Sequence, residues 1–224
     1  GEGGDTDDGV EGALHVAMPT NTYEVLDKVR DAGGALGYPM NNDYNGAKQE
    51  GFSYYQLTQK NGRRFSAKSA YINPIRKTRS NLTIETGAFA QRVVIKDGKA
   101  VGVVIRQSGK ERTVSAKREV ILSGGAIQAP QLLELSGIGQ GARLQALGID
   151  VIKDLPGVGE NLQDHYISRL SYKLKGVDSL NELTKGLRLV GEALKYALFR
   201  KGALTMPAGI VGGFVKSHPD LDEP

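Results

Sequence analysis

The chain has 224 residues, 39% of them apolar, and a formal net charge of +4, enough for one large packed domain or parts of two. It contains no cysteine, which excludes disulfides, thiolate catalysis and Cys-ligated metals. Its basic residues are dispersed, with only short pairs such as Arg63-Arg64 and Arg76-Lys77 beside turn residues, so a nucleic-acid stripe is excluded. No apolar run approaches the roughly 20 residues of a bilayer span.

In chain order, residues 1–12 are rich in Gly and Asp and read as a flexible acidic segment. Asp5-Thr6-Asp7-Asp8-Gly9 lacks the ligand spacing of a calcium loop. Residues 13–18 read as a strand broken by Pro19, followed by a helix capped at Asn21 or Thr22 and ended by Gly33-Gly34. Residues 41–51 form a polar loop and 52–58 an extended aromatic stretch. Asn61-Gly62 is a turn signal, and Ser66 opens a short helix through Ile72. From Leu82 the period changes to two. Residues 82–86, 89–96, 100–107 and 111–116 read as a meander whose hairpins turn at Asp97-Gly98 and Ser108-Gly109.

The meander leads into an apolar strand, Glu119–Leu122, predicted to be buried, and then through Ser123-Gly124-Gly125-Ala126 into a helix. Small residues at a strand–helix junction let a ligand approach the backbone, and a helix N-terminus presents free N–H groups. Tight strand–helix packing without a ligand explains the same residues, and the residues alone leave both readings open. The helix ends in Ser136-Gly137-Ile138-Gly139. Residues 142–147 form a short helix closed by Gly148, and Pro156-Gly157-Val158-Gly159 is a turn. Neither Gly-x-Gly opens a helix within a βαβ unit, so neither is a dinucleotide loop. Asn161, Asp164 and His165 share a face if helical. They read as a buried hydrogen-bonded junction, since a metal site needs further ligands and a hydrolase needs a nucleophile elbow. His15 reads as a packing residue and His218 as a loop residue. Residues 166–174 alternate as a strand. Residues 180–199 carry Leu183, Leu187, Val190, Leu194 and Leu198 at helical spacing, a stripe read as core or domain contact.

Two words of this sequence resemble the glucose–methanol–choline family of flavin-dependent oxidoreductases. The first runs from Gly125-Ala126 through Ala129-Pro130 and Leu132-Leu133 to Ser136-Gly137-Ile138-Gly139, departing from the family pattern only at Ala129, where a hydroxyl is usual. The second is Gly159-Glu160-Asn161-Leu162-Gln163-Asp164-His165. The resemblance covers nearly all of 12–215 and implies an α/β fold of mixed α+β character. It implies part of an FAD-binding Rossmann-like domain with its meander (76–165), flanked by parts of a substrate-binding domain (13–75 with connecting region, and 166–224).

The resemblance further implies an FAD cofactor whose adenosine half lies near Ser123, Gly124, Gly125 and Ala126. It also matches Val93 to a family valine whose backbone meets the adenine. The implied activity of the whole protein is hydride transfer from a small-molecule alcohol to the flavin, as in choline and alcohol dehydrogenases and oxidases. None of this chain's residues matches the family's catalytic histidine segment or its pyrophosphate loop. The chain therefore reads as an internal, inactive fragment that binds FAD only in part. Few aromatics and no Trp leave no visible cage for a quaternary ammonium. A cytoplasmic location is expected, with peripheral attachment to the inner membrane as the open alternative. The competing reading is a non-catalytic binding or assembly module on the same scaffold.

Overall fold

A computed structural model describes residues 12–207 and 209–224, so the acidic segment read at 1–12 lies almost entirely outside the described residues. The elements in chain order are α1 (Glu24–Ala35), β1 (Gly51–Tyr54), β2 (Gln59–Lys60), β3 (Arg63–Arg64), a π-helical turn Lys68–Ile72, β4 (Phe89–Lys96), β5 (Lys99–Gln107), β6 (Lys110–Ser115), α2 (Gly125–Leu135), β7 (Ile138–Gly139), α3 (Gly141–Ala146), β8 (Lys153–Asp154), α4 (Leu180–Leu183), α5 (Gly186–Phe199), a 3-10 turn Ala203–Thr205 and β9 (Val211–Phe214). The expected α/β class is observed. The chain divides into two compact units, Thr83–Leu170 and the two segments that flank it. Among the described residues, no helix is long and apolar enough to cross a membrane.

In the flanking unit, β1 pairs antiparallel with β9, Gly51 opposite Phe214 through Tyr54 opposite Val211. The Phe52 ring explains two glycines. A Cβ at Gly33 or at Gly213 would overlap it, so α1 and β9 both close on one aromatic side chain. Gly33-Gly34 was expected to stop α1, yet the helix continues to Ala35, because Gly33 serves packing against Phe52. The expected cap at Asn21 or Thr22 is also corrected. Tyr23 holds the cap position without a side-chain bond, and Asn21 instead donates to Thr20 and Thr205. Of the strand expected at 13–18, only an Ala17–Leu57 bridge forms, since Pro19 leaves too short a run for a ladder. Asn61 and Gly62 both have positive φ, the primed turn that suits a two-residue hairpin between β2 and β3.

The predicted single helix 180–199 is two. Ser179 and Glu182 form a capping box on α4, Lys185 is extended, and Gly186 restarts the chain as α5 at φ +56. The apolar stripe expected to be core or domain contact faces outward on α5, with Leu187 89% exposed. The side turned inward carries Glu192, whose carboxylate accepts the Ala203 N–H at 2.6 Å.

In the Thr83–Leu170 unit, β4, β5 and β6 form the expected meander in that spatial order. Asp97-Gly98 and Ser108-Gly109 turn its hairpins with positive φ at both residues. Residues 82–86 do not join it as a fourth strand. α2 packs along β4. After it, β7 pairs parallel with β8, and Asp154 caps α3 by accepting the Gly141 N–H at 2.9 Å.

Two predicted strands are not strands. Residues 119–122 are unpaired although 120–122 are apolar, and Ile121 is 76% exposed. Residues 166–174 are likewise unpaired, with Tyr166 96% exposed. Alternation signals how a segment would sit in a sheet, but a strand exists only where a neighbour supplies hydrogen bonds, and neither segment has one among the described residues.

Candidate functional site

The geometry of the junction after the meander follows from the outer edge of β4. Val103 pairs with Val93 and Ile105 with Ala90. In an antiparallel ladder, backbone groups point alternately to one neighbour and the other. The Ala116 N–H donates to the Val101 carbonyl at 2.8 Å, so the odd-numbered residues of this part of β5 serve β6. Their partners on β4, Ala90 and Val93, therefore turn both N–H and C=O away from the sheet, onto its open edge. Ala90 and Val93 are three apart, a spacing that would put them on opposite sides of a regular strand. The register shift between Ala90 and Arg92 is a β-bulge, and its extra residue brings both to the same side.

The two open-edge positions meet different surroundings. Val93 is 6% exposed, and its N–H donates to the Ser136 hydroxyl at 2.8 Å. That hydroxyl donates in turn to the Leu132 carbonyl, one helical turn back on α2, at 2.5 Å. Ala90 lines a cavity of ≈ 400 Å³ whose walls include Phe89, Val120, Ser123, Gly124 and Gln128. The sequence-predicted residues are thus only partly brought together. Ser123 and Gly124 share this cavity. Val93 lines a separate one of ≈ 520 Å³, with Leu133 and Ile152 among its walls. Gly125 and Ala126 are exposed at the start of α2 and line neither cavity.

The glycines of the junction have distinct reasons. A Cβ at Gly124 would sit 3.2 Å from the Ala129 backbone nitrogen, a tight approach that favours glycine where the incoming chain folds over the first turn of α2. Gly125 has φ +80 and open space beyond it, so what requires glycine there is the backbone, and the space stays free for a ligand. Pro130 lies inside α2 and, lacking an N–H, cannot bond the Ala126 carbonyl.

The sequence did not single out Ala90. Its side chain is mute, and the outward turn of its backbone arises from a bulge that one-residue periodicity cannot reveal. The Asn161, Asp164 and His165 junction is not formed. Asn161 has φ +57, 161–170 is not helical, all three residues are exposed, and Asp164 only accepts the N–H of His165 at 2.8 Å. A left-handed residue at the start breaks the common face that helical spacing assumed. His15 packs edge-on against Phe65 and bonds the Gln59 carbonyl at 2.8 Å. His218 contacts Asp220 at 3.3 Å in an exposed loop. Both agree with the sequence reading. In the flanking unit Tyr44, Tyr55 and Phe214 gather within 5.4–6.4 Å of one another. Their rings pack on each other, Tyr44 stacked on Phe214 and Tyr55 edge-on to both.

A family model described as GMC oxidoreductase matches residues 5–167. Over 194 residues the chain is 44% identical to an oxygen-dependent choline dehydrogenase of Staphylococcus xylosus, covering 87% of this chain and 34% of the relative. A choline dehydrogenase of the same description from Rhizobium johnstonii is 46% identical over 168 residues, 74% of this chain and 30% of the relative. Among solved structures, a variant of formate oxidase from Aspergillus oryzae superposes with a TM-score of 0.77 at 27% identity, covering 92% of this chain and 36% of that one. The chain thus spans about a third of the length of the curated relatives it matches.

Proposed function

Because the chain belongs to the GMC oxidoreductase family, we propose that it is the adenosine-side portion of an FAD-dependent enzyme that oxidises an alcohol to a carbonyl. The observation that carries this reading is the open edge of β4. At Ala90 an N–H and a C=O point the same way out of the ladder, beside a cavity also lined by Ser123 and Gly124. An adjacent donor and acceptor match the ring nitrogen and exocyclic amine of an adenine. The ≈ 400 Å³ space is of small-molecule size. The residues fit the group, and the backbone contact assigned from the sequence to Val93 falls better on Ala90, since the Val93 N–H is already held by Ser136.

In this reading Ala90 orients the adenine through its backbone, Ser123 and Gly124 shape the cavity wall, and the free space at Gly125 admits the cofactor close to the helix start. When bound, the flavin supplies the acceptor for the hydride leaving the alcohol carbon. This chain contributes no catalytic side chain to the proposal. Proton removal from the hydroxyl and cradling of the pyrophosphate belong to other segments of the full-length enzyme, and the chain by itself holds FAD only in part. The relatives are named for choline, and the substrate class proposed is a small alcohol without further specification.

Two measurements test this. The purified full-length protein is expected to be yellow and to bleach anaerobically with a member of an alcohol panel; a colourless protein indifferent to added FAD overturns the reading in favour of a non-catalytic module. In the same protein, Ala90→Pro removes the outward N–H without costing a ladder bond, since proline is tolerated at a sheet edge. It is expected to weaken FAD about tenfold, the worth of one hydrogen bond with its unsatisfied partner. Unchanged affinity removes Ala90 from the site.

A further inference from the structure

We infer that Ser136 is a positioning residue, whose hydroxyl sets the distance and register of the β4 edge against α2 so that Ala90 can read the base edge of the cofactor. This rests on the proposed placement of adenine beside Ala90.

One buried hydroxyl makes more bonds than ending a helix requires. Ser136 is 5% exposed. Its oxygen accepts the Val93 N–H at 2.8 Å and donates to the Leu132 carbonyl at 2.5 Å. A serine needed only to end α2 would bond its own helix and stop there. Here the same oxygen also ties off an open-edge donor of a strand forty-three positions away. That donor would otherwise be a buried N–H without a partner.

The fastener acts on the cavity because one of its ends lies in the cavity wall and the other on the strand that carries Ala90. Leu132 lines the ≈ 400 Å³ space directly. Val93 shares the open edge of β4 with Ala90, on the same side only because the bulge between Ala90 and Arg92 restores the parity. The bulge gives β4 two outward positions with separate duties: Val93 is fixed to α2, and Ala90 is left free toward the ligand. With Val93 pinned, the Ala90 N–H and C=O have one location relative to Gln128 and Ala129 on α2, which form the facing wall. A pre-set donor–acceptor pair discriminates between bases, because a ligand with the opposite pattern leaves both protein groups unpaired.

The test uses the full-length apoprotein reconstituted with FAD or with its hypoxanthine analogue, in which the exocyclic amine is replaced by a carbonyl and the ring nitrogen carries a proton. The wild type is expected to prefer FAD by tenfold or more. Ser136→Ala is expected to reduce that preference to within about threefold, while Ser136→Thr, which keeps the hydroxyl, retains most of it. Val93→Pro breaks the same bond from the other end and is expected to reproduce the loss, so the reading survives a failure of either variant to fold. A preference undiminished in Ser136→Ala or in Val93→Pro overturns the inference, even where both ligands bind more weakly, because that is the signature of a purely structural serine. A wild type that does not distinguish the two dinucleotides instead overturns the placement of adenine at Ala90.

Discussion

Tyr54 is 6% exposed, and its hydroxyl donates to Asp27 Oδ1 at 2.6 Å, fastening β1 to α1. The Arg30 guanidinium lies 5.2 Å from the centre of its ring. Burial first, and then the bond to Asp27, push its phenol from 10.0 up to about 12. A raised pKa means that the folded chain holds this proton more tightly than the unfolded chain. The contribution to stability is therefore complete below pH 10.0 and is lost as pH rises toward about 12. Tyr54→Phe is expected to cost about 1–2 kcal/mol in urea unfolding at neutral pH, and to remove the part of the alkaline decline that Tyr54 causes. Coincident unfolding curves for the two proteins would refute this. At this scale the sequence showed which residues are aromatic or flexible, but not their partners. Gly33 looked like a helix stop and is a seat for Phe52. Ala90 looked like nothing, because what sets it apart is the direction of backbone atoms that every residue has.

Elements closed by their own local chemistry were legible. The hairpins at Asn61-Gly62, Asp97-Gly98 and Ser108-Gly109 formed where the turn residues required, and α3 ended at Gly148 with φ +71. Elements that depend on a neighbour were not. The segments 119–122 and 166–174 carry strand patterning without a strand to pair with. α5 carries helix patterning, but its apolar side has no cover among the described residues. Leu187, Val190, Leu194 and Leu198 face outward, whereas Glu192 and Lys195, 3.8 Å apart, lie toward Gly202, where a Cβ would meet both. The helix is therefore held by its polar side, and its leucines add little to its anchorage in this chain. Replacing Leu187 and Leu194 together by Lys is expected to lower binding of a hydrophobic dye several-fold while changing the melting temperature by less than about 2 °C, as for surface substitutions. A large loss of stability would show that the stripe is packed after all.

For the whole molecule, the meander-then-helix order was readable from period changes and glycine punctuation, while the α/β class came from the family resemblance. The candidate cavity was half readable: Ser123 and Gly124 came from a sequence word, and its opposite wall from a bulge. The division of the chain came from the family resemblance and not from the residue pattern, because its organising contact joins segments far apart. β1 finds its partner in β9, near the other end of the chain, and all of Thr83–Leu170 lies between them.

That pairing has a temporal consequence. During synthesis β1 emerges well before β9, so it must wait for that partner while all of Thr83–Leu170 is made between them. The contacts of that unit are local by comparison, with tight hairpins linking β4 to β5 and β5 to β6, and local contacts close sooner and at lower entropic cost. On refolding from denaturant, pulsed hydrogen exchange is expected to protect the amides of β5 before those of β1; simultaneous protection, or the reverse order, would contradict it. Until β9 arrives, Gly51–Tyr54 is an exposed sheet edge bearing Phe52 and Tyr54, the kind of segment that associates with other chains. Aggregation during expression should therefore begin at this strand, which becomes one of the better-buried parts of the finished protein.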